Sequence, residues 1–174
     1  YVHTAVAKPF LEKLIEKTKA ITMGDVTRRD VWFGPVINEK AVQRWEKAVA
    51  QAGREGAVLL GGQRLRGEVF DKGHFLAPTI AELPLSSSLF LEELFAPLLA
   101  VASVESFDQA IAEANKVEYG LTAGLFSNQQ QEIDEIQLAR TTLGFLVAPG
   151  QLPQFSAQLS RQVGIIDRLV IGDR

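Results

Sequence analysis

The 174-residue chain has a hydrophobic share of 47%, a charged share of 22% and a formal net charge of −3, the profile of an ordinary folded domain able to bury a core. Its 18 Lys and Arg residues are scattered, so no nucleic-acid partner is expected; no apolar run approaches the ~20 residues needed to span a bilayer, so no membrane partner is expected either. Cysteine is absent, which removes disulfides, thiolate metal sites, iron–sulfur ligation and a cysteine nucleophile from this chain and fits a reducing, cytoplasmic setting.

The chain opens at Tyr1–His3, read as the end of a strand, so it reads as a piece of something longer. Thr4 to about Ala20 reads as a helix, with Thr4 as its N-cap and Val6, Phe10 and Leu14 at helical spacing. A loop from Asp25 to Ile37 leads to Asn38, the expected N-cap of a second helix that places Val42, Trp45, Val49 and Ala52 on one face. Gly53 and Gly56 close it. "AVLLGG" from Ala57 reads as a short buried strand, and "HFLAPTI", His74 to Ile80, as another, with Pro78 at an edge or strand end.

Pro84 and Ser86 to Ser88 make a turn. Leu89 to about Phe95 suggests a turn or two of helix, and Pro97 disfavours helix at Ala96. The apolar run Leu98 to Val104 predicts one strand covered on both faces. Ser106 with Gln109 three residues on forms a capping box for a helix holding Ala110, Ile111 and Ala114. Thr122–Ser127 is a strand, Asn128 starts a helix with Ile133, Ile136 and Arg140, and "GFLVA" from Gly144 is a strand. Short apolar runs thus alternate with helical patterns, which predicts an α/β fold with a mostly parallel sheet flanked by helices. The expected core includes Phe10, Leu14, Trp45, Leu59, Leu99, Val101, Ile111, Leu125 and Phe126. Residues 1–150 read as one domain and 151–174 as a divergent tail whose "IIDRLVIG" adds a candidate edge strand, open to self-association.

Standard catalytic constellations are missing. There is no G-x-x-x-x-G-K-[ST] and no G-x-S-x-G. "GGQRLRG" does not match the dinucleotide fingerprint. His3 and His74 alone do not make a metal site, and structural roles are expected of both. The informative stretch is "LEELFAPLLAV", Leu91 to Val101, with adjacent acids in an apolar run. On a helix, adjacent side chains point about 100° apart, so at most one of Glu92 and Glu93 faces inward. A carboxylate aimed at a ligand suits a vicinal diol, because its two oxygens accept from two neighbouring hydroxyls, as on a ribose. Phe95 offers a flat apolar face beside a ring. The plainer reading, a solvated helix end, stands beside it.

Four segments together resemble the aldehyde dehydrogenase superfamily. "LEELFAPLLAV" is similar to that family's Glu-Glu-Ile-Phe-Gly-Pro-Val segment, "VWFGPVINEKA" to its Met-Gly-Pro-Val-Ile, "GHFLAPTI" to its Gly-Tyr-Phe-x-x-Pro-Thr, and "SFDQAIAEANKVEYGLTAGLFS" to its Ala-Asn-x-x-x-Tyr-Gly-Leu run. They occur in the family's order from Tyr1 to about Val147. The flavour, "FLEKLIEKTKAITMGD" included, is closest to the 1-pyrroline-5-carboxylate (glutamate semialdehyde) dehydrogenases of proline catabolism. The resemblance implies the family's catalytic-domain fold, NAD as cofactor, Glu93 on ribose hydroxyls and Phe95 near the nicotinamide.

The departures carry their own implications. The family's cysteine nucleophile, general-base glutamate and main dinucleotide domain belong upstream of the matched segments, and no cysteine stands here to replace the nucleophile. Ala96 replaces the glycine that follows the family's Phe, which crowds a close backbone approach. Pro149 falls near an expected asparagine, and the Pro-Phe-Gly-Gly segment is missing from the tail. The chain is therefore expected to be noncatalytic on its own, with a structural or assembly role beside the rest of a larger parent protein. The alternative is a portion of an active NAD-dependent enzyme.

Overall fold

Helix α2, Glu39–Glu55, shows how local sequence sets the architecture. Asn38 lies in extended backbone and its Oδ1 accepts from the Ala41 N–H at 3.0 Å, as expected of an N-cap. Ala41, Val42, Trp45, Ala48 and Ala52 are buried along one stripe, the helical period read from the sequence. Gly53 sits inside the helix, and Gly56 ends it by donating its N–H to the Ala52 carbonyl at 2.9 Å. Asn38→Ala is expected to cost about 1 kcal/mol of stability in chemical denaturation, the usual worth of such a cap.

The computed structural model describes residues 1–117, 122–127, 129–132, 144–147 and 169–171. They fall into two compact units, one formed by residues 9–102 and the other by residues 1–8 with those from 103 onward.

In the first unit, α2 packs on a three-stranded sheet of β2 (Ala57–Leu60), β3 (Thr79–Glu82) and β4 (Leu98–Val101), in the order β2-β3-β4. β2 runs antiparallel to β3, and β4 parallel to it. Ala48, Ala52, Ala81, Leu83 and Leu89 form one cluster between helix and sheet. Val42, Trp45 and Leu76 form another, with Val36, Ala96 and Leu98 against it. Small alanines on both facing elements allow close approach, and at Gly56 an added Cβ would lie 2.2 Å from the Glu82 carbonyl oxygen.

The second unit holds a sheet in the order β5-β1-β8-β6-β7, from Ser103–Val104, Val2–His3, Leu169–Ile171, Thr122–Phe126 and Gly144–Val147. All its pairings are parallel. Helix α3, Phe107–Ala114, follows β5 and starts as predicted: Ser106 Oγ accepts from the Gln109 N–H at 3.2 Å, and Gln109 Oε1 accepts from the Glu105 N–H at 2.8 Å. The α/β class and the largely parallel pairing are as expected.

Several expectations are corrected. The run 98–104 is two strands. β4 belongs to one sheet and β5 to the other, with Ala102 between them. Leu99 is 46% exposed: α2 covers the face carrying Leu98 and Ala100, and Leu99 points the other way on the outermost strand. Leu59 is only half-buried because it falls at a register shift, with Val58 paired to Ala81 and Leu60 to Ile80. Phe10, Leu14 and Ile111 are likewise half-buried, whereas Trp45, Val101, Leu125 and Phe126 are core residues as predicted. The His74–Ile80 segment joins a strand only at Thr79, since Pro78 has no N–H for a ladder; before it, His74 and Leu76 make single bridges to Val36 and Arg64. β8 is not at an edge. It lies between β1 and β6, so both of its sides are paired.

The first helix, α1, spans Thr4–Lys19. Thr4 is already helical, and the N-terminal acceptor is His3, whose Nδ1 takes the Ala5 N–H at 3.2 Å. The helix proposed from Asn128 extends beyond the described residues, as do Pro149 and most of the tail.

Candidate functional site

The segment 91–97 follows a short 3-10 turn, Ser88–Phe90, and is not helical. Glu92 and Glu93 are both exposed, so the expected division of one inward and one outward acid does not hold. What the segment has instead is a held loop. Leu94 packs against the Ala48–Leu89 cluster and Ala96 against the Val42–Trp45–Leu76 cluster, while Phe95 between them is 78% exposed. Downstream, the Pro97 carbonyl accepts from the Thr79 N–H at 2.9 Å.

Phe95 has φ of +50°. That is left-handed backbone, which costs a non-glycine residue on the order of 1 kcal/mol and persists only where neighbours over-determine it. Here two packed neighbours force an aromatic ring outward. Ala96 packs against the cluster of Val42, Trp45 and Leu76. Glu93 has no hydrogen bond or ion pair among the described residues, so both carboxylate oxygens are available to a ligand. The structure therefore brings the two predicted site residues together on one exposed loop, two positions apart.

His3 and His74 each lie beside an oxygen of a glutamate. His3 Nε2 lies 3.1 Å from the Glu105 carbonyl oxygen, and His74 Nδ1 lies 3.3 Å from Glu39 Oε2, beside the Arg64–Glu39 pair. Among the described residues no group of three or more His, Asp or Glu side chains is placed to hold a metal. No helix among them is long and apolar enough to cross a membrane. A cleft of about 230 Å³ between Ile21, Met23, Leu60, Leu65, Phe70 and Ala77 is mainly apolar and includes neither Glu93 nor Phe95.

Two carboxylates of the 25–37 loop are held in their charged form by neighbouring donors. The Thr27 N–H and hydroxyl, both donating to Asp25 Oδ1, hold the Asp25 carboxyl below the ordinary aspartate range, and the Arg28 guanidinium does the same for Asp30. A lowered folded-state value means that this stabilisation is present above the unfolded value and is lost as pH falls through the folded one. The Thr27 amide resonance should thus move with the Asp25 titration at a lower pH than an unshifted aspartate would give.

Comparison with known proteins settles the family. The model of the aldehyde dehydrogenase family matches residues 1–144. The chain belongs to the aldehyde dehydrogenase family. It is 40% identical over 139 residues to D-glyceraldehyde dehydrogenase (NADP(+)) of Picrophilus torridus, covering 78% of this chain and 28% of that protein. It is 35% identical over 135 residues to 1-pyrroline-5-carboxylate dehydrogenase 1 of Halalkalibacterium halodurans, covering 77% and 25%. The solved betaine aldehyde dehydrogenase of Staphylococcus aureus, in complex with NAD+, superposes with a TM-score of 0.76 at 26% identity, over 84% of this chain and 29% of that one. The chain thus corresponds to about a quarter of the length of these aldehyde dehydrogenases. They differ in aldehyde, and the 1-pyrroline-5-carboxylate type is not singled out among them.

Sequence reasoning overlooked Ser87 and Glu55. Ser87 was read as a plain turn residue, yet it is 4% exposed and donates to the Glu55 carboxylate. The available signal was the acid in the last turn of α2, where a helix end disfavours negative charge.

Proposed function

We propose that this chain supplies the nicotinamide–ribose wall of an NAD site in an aldehyde dehydrogenase of the 1-pyrroline-5-carboxylate type, and is noncatalytic on its own. In this reading Glu93 accepts from the two ribose hydroxyls and Phe95 lies against the nicotinamide end. The observation that carries it is the loop 91–97, where strained backbone at Phe95 and anchored neighbours present both side chains outward. The chain's remaining role is structural, packing with the rest of a larger parent protein to complete the site. A bound dinucleotide would supply the hydride acceptor. The residues here bind and orient it, and the chain's own residues include no cysteine to attack an aldehyde.

Calorimetric titration of NAD into the chain tests the affinity. Since only one end of the cofactor is gripped, the expected dissociation constant is above about 1 mM. Submillimolar binding that Glu93→Ala abolishes would show a more complete site than the one proposed. Turnover of glutamate semialdehyde with NAD above a buffer blank would sink the noncatalytic reading and favour the alternative, a portion of an active NAD-dependent enzyme. That alternative is supported by the family match over residues 1–144.

A further inference from the structure

Glu55 stands in the last turn of α2, where a carboxylate meets the negative end of the helix dipole. Helix stability does not account for it, but its partners do. Glu55 Oε2 accepts from the Ser87 hydroxyl at 2.5 Å, and Oε1 accepts from Gln51 Nε2 at 2.9 Å. The same Gln51 nitrogen donates to Ser88 Oγ at 2.9 Å. Ser87 Oγ in turn accepts from the Leu89 N–H at 3.4 Å and so caps the Ser88–Phe90 turn. Two of these links, Ser87 to Glu55 and Gln51 to Ser88, join the C-terminal part of α2 to the turn that precedes the 91–97 loop.

We propose that Gln51, Glu55 and Ser87 are positioning residues for Glu93 and Phe95. They fix the upstream end of the 91–97 loop, as the Thr79–Pro97 hydrogen bond fixes its downstream end. A left-handed Phe95 persists only while both ends are held, because a free end lets the backbone relax to an ordinary conformation. The three act through the loop's backbone, so their effect is on where Glu93 and Phe95 point. The inference rests on the cofactor reading given above.

The test uses the isotope-labelled full chain with Ser87→Ala and Glu55→Ala. Glu55 is exposed, so its substitution leaves the fold intact even if the buried serine variant does not fold. Two readouts are taken: amide hydrogen exchange, and the shifts induced at Glu93 and Phe95 by millimolar nicotinamide mononucleotide, which carries ribose and ring without adenosine. In the variants, exchange over residues 91–96 should quicken about tenfold while the protected amides of α2 and β3 keep their rates. Binding of the mononucleotide should weaken at least about fivefold. Unchanged exchange over 91–96, an equal rise across α2 and β3, or undiminished mononucleotide binding would each overturn the positioning role. If the mononucleotide shifts neither resonance in the unaltered chain, the cofactor reading itself fails and takes the positioning role with it.

Discussion

Trp45→Ala should lower the unfolding free energy by about 3–5 kcal/mol, the cost of emptying the largest buried position in a packed core. Trp45 is 1% exposed and belongs to a cluster that draws on elements far apart in sequence: Val42 on its own helix and Leu76 before β3, with Val49 of α2, Val36 of the 25–37 loop and Ala96 beside Phe95 packed against it. A cavity there removes the floor under the candidate site as well as core contact area. Trp45→Phe should behave very differently. The indole Nε1–H is buried and has no acceptor among the described residues, and such a group carries a desolvation penalty of about 1–3 kcal/mol. Phenylalanine removes that donor while keeping most of the aromatic bulk, so the expected loss is under about 1.5 kcal/mol. Urea unfolding of the two variants reads both values. Equal losses would mean that the indole nitrogen is satisfied.

Gly61→Ala is expected to cost more than about 2 kcal/mol, with Gly53→Ala as its opposite. Gly61 has φ of +78°, and an added Cβ would lie 2.2 Å from the Pro78 carbonyl oxygen and 2.7 Å from Thr79 Oγ1. Backbone strain and overlap act together there, and the overlapping atom is main chain at the start of β3, which does not move cheaply. The same step also disturbs the hydrogen bond from the Gly62 N–H to Thr79 Oγ1 at 3.0 Å. At Gly53 an added Cβ meets nothing within 4 Å. It lies within α2, where alanine is favoured over glycine by roughly 0.5–1 kcal/mol, so this variant should be more stable than the parent. Thermal midpoints moving in opposite directions are the expected signature.

The two helix starts at Asn38 and Ser106 were legible because a cap needs only a side chain and an amide three residues away. The buried stripe of α2 was legible for the same reason, since the 3.6-residue period is a local property. The single strand expected over 98–104 failed because an apolar run reports that a segment is buried, not which sheet accepts it. Ala102, fully buried between β4 and β5, is indistinguishable in sequence from a strand residue. The last strand was expected at an edge because its partners, β1 and β6, lie far away along the chain.

At the candidate site, residue identity and residue geometry separate in the same way. Glu93 and Phe95 could be named from the chain alone, because chemistry and family resemblance both reside in side-chain type and order. The helix assumed beneath them could not be trusted, because a 3-10 turn and a loop there are imposed by Ser87, Glu55 and the packing of Leu94 and Ala96. By itself the sequence determined the α/β class, the α2 core face, the family and which residues offer a carboxylate and a ring. Only the tertiary structure decided where the chain leaves one sheet for the other, which apolar residues stay exposed, and that Phe95 is forced outward. Those outcomes depend on contacts between segments distant in sequence, whose pairing no local period encodes.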